Sequence, residues 1–245
     1  MKTTKNIILA ALTIATACTS AFAETRTWTD TKGKTIEAEQ VKLLNDQVWL
    51  RLADGREIKV SLDSLSPEDR ERAMLNQPPK LEVKVAAKVT RTNSSLREDG
   101  PASRIQVQEE AVNVAARIRK SDSTVYDAAL TAELYVIGER DDHDYVVIDR
   151  TESTFAFTKE SGPEHVVSSK PVTVANISDA RPGVEYKGYL LVVTDSRGEI
   201  VEMKGSTGTI ERDADTIVAA SLTPRRAKGF DRYSAVASTR HFHQF

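Results

Sequence analysis

From Trp28 onward the chain is written in short alternating runs of apolar and polar residues, separated by turn signals. Ile36 and Ala38 alternate with Glu37 and Glu39, and Val41 and Leu43 continue in the opposite phase. That change of phase predicts a bulge near Gln40. Val48, Leu50 and Leu52 form one face of the next strand, with Trp49 and Arg51 on the other. Asp30-Thr-Lys-Gly33 and Asn45-Asp46 read as turns. Asp54-Gly55 reads as a two-residue hairpin connection, because both positions tolerate a positive φ. Ile58, Val60 and Leu62 then resume the inward phase. Ser66-Pro67-Glu68-Asp69 has the chemistry of a helix start: a capping hydroxyl, a proline preset for the first turn, and two acids at the positive end of the dipole. A short helix from Pro67 to about Leu75 is predicted. Four or five strands within about fifty residues leave open edges unless they curl into a small barrel.

The order and spacing of several of these positions resemble the Sla-type homology domain 1. They are Arg26-x-Trp28-Thr29-Asp30, Gly33-Lys34, Glu37-Ala38, Val41, Val48-x-Leu50, Asp54-Gly55, Ile58-x-Val60 and Leu65-Ser66-x-x-Asp69. The resemblance covers residues 26–72 and implies an SH3-like β-barrel. It also implies a non-catalytic binding or structural module: the domain is known from an endocytic adaptor, where it binds short peptide motifs, and it recurs in exported bacterial proteins. No peptide-contact residue of the adaptor transfers to this sequence.

Trp49 and Arg51 are candidate binding residues on the pattern alone. They project from the face opposite Val48, Leu50 and Leu52, and tryptophan and arginine are enriched at binding hot spots. The competing reading is that Trp49 packs against the closing helix or against the second half of the chain, as large aromatics often do.

Gln77-Pro-Pro-Lys80 ends the helix and reads as a short, stiff linker. Beyond it nearly every segment has strand periodicity. Leu81, Val83, Val85, Ala87 and Val89 alternate with charged residues. Residues 93–103 are polar and are expected to form a loop, followed by a strand whose phase flips after Glu109-Glu110. Further strands are expected over Tyr126–Ile137, over Tyr145–Asp149, around Phe155 and Phe157, at Val166-Val167, and at Val172 and Val174. Tyr186–Thr194 and Ile200–Lys204 form a hairpin through Ser196-Arg197-Gly198, and Ile217–Leu222 closes the pattern. Such a run of strands, almost without helical periodicity, predicts an immunoglobulin-like β-sandwich. The Cys…Trp…Cys signature of true immunoglobulin domains is absent, so the expectation concerns architecture alone. Gly188-Tyr189-x-x-x-Val193 before a glycine hairpin resembles uncharacterised exported bacterial β-domains. The basic tail from Thr223 has little pattern and is expected to be flexible or to add an edge strand.

The first 23 residues change the picture of where this chain works. Lys2 and Lys5 precede an apolar run, Ile7–Ala17, that is too short to span a bilayer, and Ala21-Phe22-Ala23 is an A-x-A cleavage site. Cleavage after Ala23 is expected, giving an exported, periplasmic or extracellular protein. Cys18 offers a competing lipid-attachment site, disfavoured because Ala15 stands where a lipobox carries leucine. Cleavage removes the only cysteine, leaving no disulfide, thiol nucleophile or thiolate metal site.

Composition excludes more than it suggests. Lys plus Arg number 34 against 36 Asp plus Glu, and both basic residues of the leader are lost on cleavage, so a general nucleic-acid binder is not expected. Gly33-Lys34-Thr35 has the tail of a phosphate loop, but Trp28 stands where its first glycine belongs and the following residues alternate as a strand. His241 and His243 are only two potential ligands. Glu139-Arg-Asp-Asp-His-Asp144 lacks the spacing that wraps a calcium ion and reads as a polar hairpin tip. Arg225, Arg226, Lys228 and Arg232 cluster with Phe230 and Tyr233, either as a solvated tail or as a contact for an acidic partner. No G-x-S-x-G or S-x-x-K pattern occurs.

The expectation is therefore an all-β protein without cofactor or catalytic residues, made of a leader (1–23), an SH3-like barrel (24–76), a linker (77–80), a sandwich (81–222) and a tail (223–245). Its expected role is non-catalytic binding or scaffolding through a protein or peptide partner. The rival expectation is a carbohydrate-binding protein or a hydrolase with a scattered active site.

Overall fold

A computed structural model describes residues 25–97, 104–140, 145–177, 184–222 and 230–232. Cys18, the cleavage site at Ala23, residues 98–103, 141–144 and 181–183, and Arg225, Arg226, Lys228, Tyr233, His241 and His243 lie outside the described residues.

The first sheet contains β1 (Arg26–Thr29), β2 (Thr35–Leu44), β3 (Gln47–Leu52) and β4 (Glu57–Ser61), antiparallel in the order β1-β2-β3-β4. Its turns fall where the sequence signals them. Gly33 and Gly55 have φ of 79° and 84°, a region that costs glycine nothing. The register shifts between Gln40 and Lys42, so the phase change in β2 is a bulge, and Ala38 and Leu43 both point inward despite their odd separation. The sheet curls around Trp28, which is 1% exposed and donates its indole N–H to the Ala38 carbonyl at 3.0 Å.

The helix α1 (Pro67–Leu75) closes the barrel. The Ser66 hydroxyl accepts from the Asp69 amide at 3.3 Å, and Ala73 and Met74 are buried in the barrel core. Asp69 is itself buried. It accepts from the Arg26 guanidinium at 2.5 Å and from the Thr29 amide at 2.6 Å, which fastens the helix start to β1.

The sandwich begins with β5 (Leu81–Arg97) and β6 (Arg104–Lys120), continues through β7 (Leu130–Arg140), β8 (Tyr145–Phe155), β9 (Glu164–Ser168) and β10 (Val172–Ile177), and ends with β11 (Val184–Asp195) and β12 (Ile200–Gly205). Two short helices follow, α2 (Gly208–Arg212) and α3 (Ala214–Leu222), then β13 (Phe230–Arg232). One sheet runs β10-β6-β5, with β9 also on β6; the other runs β12-β11-β7-β8-β13. The tail thus supplies an edge strand, β13, which pairs parallel with β8. Between the sheets, Val112, Val114, Ala116 and Ile118 of β6 pack in one core with Leu130, Ala132, Leu134 and Val136 of β7. The buried Glu110 spans the gap, accepting from Arg91 Nε at 2.6 Å and from the Tyr186 amide at 2.8 Å. The barrel is followed by an immunoglobulin-like sandwich, as expected, with a third layer added.

That third layer corrects the expected strand at Ile217–Leu222, which is helical. Tyr135, Ile137 and Val147 point away from the intersheet core, as do Leu190 and Val192, and all are buried. A sheet that is apolar on both faces needs cover on both. Ile210, Ala214 and Ile217 provide it, at a spacing that places them on one side of a helical path. The Thr207 hydroxyl caps α2 by accepting from the Ile210 amide at 3.3 Å.

Three smaller expectations also change. The strand expected from Tyr126 begins at Leu130, because the preceding residues are used to hold the barrel. Tyr145–Phe155 is one strand, with Phe157 beyond its end; a register shift between Val136 and Ile137 disguises its continuity in the alternation. Residues 93–97, expected as loop, extend the ladder to Arg97↔Arg104, since ladder hydrogen bonds need no apolar side chains.

The barrel and sandwich share one continuous apolar core, and a seam of polar contacts runs along their join. The Val125 amide donates to the Asn45 carbonyl at 2.8 Å, and the Ser123 hydroxyl donates to Asn45 Oδ1 at 2.9 Å. Asn45 sits in the β2–β3 turn with φ of 57°, a conformation asparagine tolerates better than most residues. Arg70 of α1 reaches Asp127 at 2.6 Å. Arg197, in the β11–β12 turn, donates to the Leu75 carbonyl at 2.7 Å, placing a cation at the negative end of α1. Asp195 orients that arginine through a 2.7 Å ion pair. The Pro-Pro linker is fixed at both ends: the Gln77 side chain accepts from the Leu43 amide at 2.7 Å and donates to the Leu43 carbonyl at 2.8 Å, and the Lys80 backbone amide donates to the Asp122 carboxylate at 2.8 Å.

Two outcomes follow. Ile217→Ala is expected to lower unfolding free energy by about 2–4 kcal/mol in urea titration, the cost of a buried large-to-small change; an exposed edge strand there would show almost none. Burial pushes the Asp195 carboxyl up, but hydrogen bonds from the Arg197 side chain and the Arg197 and Glu199 amides outweigh it and hold its pKa below the usual 3.8. A folded pKa below the unfolded one gives stabilisation that is present above pH 3.8 and lost as pH falls through the folded value. Melting temperature measured against pH should therefore fall more steeply in acid for the wild type than for Asp195→Asn.

Candidate functional site

Trp49 lies on the outer face of β3, opposite Lys42 of β2 and Lys59 of β4. The two ammonium groups stand 4.0 and 4.3 Å from the indole ring centroid, within cation–π range. One row along, Arg51 is opposite Glu39 and Glu57. It bonds Glu57 at 3.0 Å and approaches Glu39 at 3.8 Å. The face therefore carries a Lys–Trp–Lys row beside a Glu–Arg–Glu row.

Local sequence explains this arrangement. Alternation in β3 sends Trp49 and Arg51 outward together. The bulge selects the neighbour: Gln40 is opposite Leu50, so an unbroken ladder would put Val41 opposite Trp49, yet Lys42 occupies that place. One inserted residue thus exchanges an apolar neighbour for a cation. Trp49 is half-buried and Arg51 exposed. Among the described residues neither Lys42 nor Lys59 is held in an ion pair, whereas Arg51 is paired on both sides. An indole framed by two cations that have no acidic partner among the described residues can receive a carboxylate and an apolar group side by side.

A groove of about 810 Å³ lies where the barrel meets the sandwich and is lined by Asp46, Arg70, Lys120, Asp127 and Phe157 among others. Two of its cations, Arg70 and Lys120, are committed to the fold. Arg70 pairs with Asp127. The Lys120 ammonium donates to the Asp122 carbonyl at 2.9 Å, to the Asp122 carboxylate at 3.2 Å and to the Thr124 carbonyl. Tyr126, also in this lining, is pushed up to about 12, first by burial and then by the Asp195 charge, so it remains a neutral phenol.

One pair resembling a nucleophile and base was invisible in sequence: Ser153 Oγ lies 3.0 Å from His165 Nε2. The β8 and β9 strands bring together residues whose spacing carries no motif. The imidazole stacks on Phe155, centroids 4.2 Å apart and planes 2° from parallel, and burial pushes its pKa below 6.5. Among the described residues no carboxylate is bonded to His165, so the orienting third member of a triad is missing.

A second polar cluster is bonded internally, with Arg150 Nε buried and left without a partner among the described residues. The Tyr135 hydroxyl donates to Glu133 at 2.8 Å, Arg150 bonds Glu133, and burial together with that hydrogen bond pushes Tyr135 up to about 12. Among the described residues no group of three His, Cys, Asp or Glu side chains is arranged to hold a metal. No helix among them is long and apolar enough to cross a membrane.

Residues 18–74 match the family model described as SLA1 homology domain 1, SHD1. The match contains all four barrel strands, with Trp49 and Arg51. No curated protein matches the chain. The chain is similar to a protein in a crystal structure from Akkermansia muciniphila at 13% identity, over 63% of this chain and 82% of that one, with a TM-score of 0.25.

Proposed function

We propose that this chain is an exported, non-catalytic binding protein of the cell envelope or extracellular space, and that its barrel receives an acidic segment of a partner protein on the Trp49 face. The observation that carries this reading is the half-buried indole framed by Lys42 and Lys59, two cations without an acidic partner among the described residues. A partner carboxylate would complete their charge, and an adjoining apolar side chain would cover the ring, which is the composition of a binding hot spot. The match of residues 18–74 to the SLA1 homology domain 1 supports a protein-interaction role for this barrel. The charged, apolar and A-x-A segments of residues 1–23 support export. The seam supports scaffolding, because it presents the barrel at a fixed angle to the sandwich.

A hydrolase is the second reading, favoured by the Ser153–His165 contact. It is the weaker one, because no carboxylate orients the imidazole among the described residues.

The test is capture of envelope proteins on the immobilised chain, followed by titration with the purified partner. Trp49→Ala is expected to weaken binding about thirtyfold, the effect of a hot-spot residue worth about 2 kcal/mol, and Lys42→Glu with Lys59→Glu should weaken it further. Equal affinity of the wild type and all variants would reject the Trp49 face. Esterase or glycosidase turnover lost in Ser153→Ala would favour the second reading.

A further inference from the structure

We infer that the chain forms a two-fold dimer in which two copies join their β5 strands edge to edge, making one continuous sheet. This rests on the sandwich alone and is independent of what the barrel binds.

The β5 strand runs for 17 residues and stands at the end of its sheet, hydrogen-bonded to β6. Among the described residues no strand pairs with its other side. The polarity of that free side follows from the ladder. The Ser121 amide donates to the Lys80 carbonyl at 2.9 Å, in the register that continues through Leu81↔Lys120 without a shift. In an antiparallel pair, alternate residues direct both backbone groups to the partner. Even-numbered residues of β5 therefore bond β6, and the odd-numbered ones, Val83, Val85, Ala87 and Val89, direct their N–H and C=O groups outward.

The same odd positions carry the inward side chains. Val83, Val85 and Val89 are only half-buried, whereas Val114, Ala116 and Ile118 of the adjacent β6 are at 0%. The edge thus offers unpaired backbone groups together with an incompletely covered apolar row, which a further strand would complete.

Self-complementarity identifies that strand as a second copy. Place Val85 opposite Val85 in an antiparallel pair. Ala87 then meets Val83, and Val89 meets Leu81, so every inward pair is apolar. On the outward face Glu82 meets Lys88 twice, once on each side of the axis, and Lys84 meets Ala86. Sliding by one residue pair in either direction destroys this. One shift puts Lys84 opposite Lys84, and the other puts Lys84 opposite Lys88 twice. Like charges directly opposite one another are unfavourable and opposite charges favourable, so the lysines that would blunt an ordinary edge here select one register. All free backbone donors of the segment also face one another in that register, as a ladder requires.

The test is molar mass by sedimentation or by light scattering after size exclusion, on the full exported chain over a range of concentrations. The wild type is expected to be dimeric at micromolar concentration. Val85→Pro removes an outward amide hydrogen without touching a bond to β6, a place where a strand accepts proline, and should give a monomer with an unchanged circular dichroism spectrum. Glu82→Lys sets lysine against Lys88 and should weaken association about tenfold or more; Glu82→Lys combined with Lys88→Glu restores opposite charges and should restore the dimer. The charge pair decides the question even where Val85→Pro fails to fold. A monomeric wild type, or a dimer indifferent to Glu82→Lys, would overturn the inference.

Discussion

The hydrogen bond from the Val125 amide to the Asn45 carbonyl, 2.8 Å long, sits at the join of a barrel and a sandwich that share one continuous apolar core. That shared join is the constraint on which the arrangement of the chain rests. The bond joins a barrel turn to the segment that leads into the sandwich, and it uses main-chain atoms on both sides, so no side-chain motion can release it. Around it the seam repeats the same logic with charge: Arg70 on Asp127, and Arg197 at the carboxyl end of α1. Each module lends the other a group it needs. The helix ends with a carbonyl that its own residues leave unsatisfied, and the sandwich hairpin supplies the donor. Individually such polar contacts contribute little. Spread over the Asn45 turn, the helix flank and the helix end, they add direction to the shared apolar core in holding the barrel against the sandwich.

Much of this architecture was legible in sequence because local chemistry and global fold agree. Gly33 and Gly55 adopt the positive φ that their turn signals require. Ser66 caps the helix it was expected to cap, and the phase change in β2 is a real bulge. What escaped was the layer that pattern reading cannot assign from one segment. Ile217 looks like a strand residue in a short apolar run. It becomes helical because Tyr135, Ile137, Leu190 and Val192 need a cover, and those residues are distant in sequence. Tyr126 fails for the opposite reason. It alternates with Ala128 and Leu130 and all three are buried, yet its neighbours Val125 and Asp127 are engaged by the barrel and the ladder starts later.

The candidate site shows the same division. The outward direction of Trp49 and Arg51 is plain from alternation in β3. The identity of the group beside the indole is not, since it depends on which residue the bulge sets aside. Val41 and Lys42 would make different surfaces, one greasy and one cationic, from the same ten-residue strand. Ser153 and His165 were likewise unreadable, because two strands on different sheets meet only after the sandwich closes.

The claim that the barrel and the sandwich behave as one body can be tested with the chain's own chromophores. Both tryptophans, Trp28 and Trp49, lie in the barrel, so their fluorescence reports barrel unfolding, whereas far-ultraviolet circular dichroism is dominated by the longer sandwich strands. In a urea titration the two signals should share one midpoint and one slope, the mark of a single cooperative unit. A fluorescence transition complete before the circular dichroism begins to change would contradict the account, and would make the barrel an independently folding module on a tether.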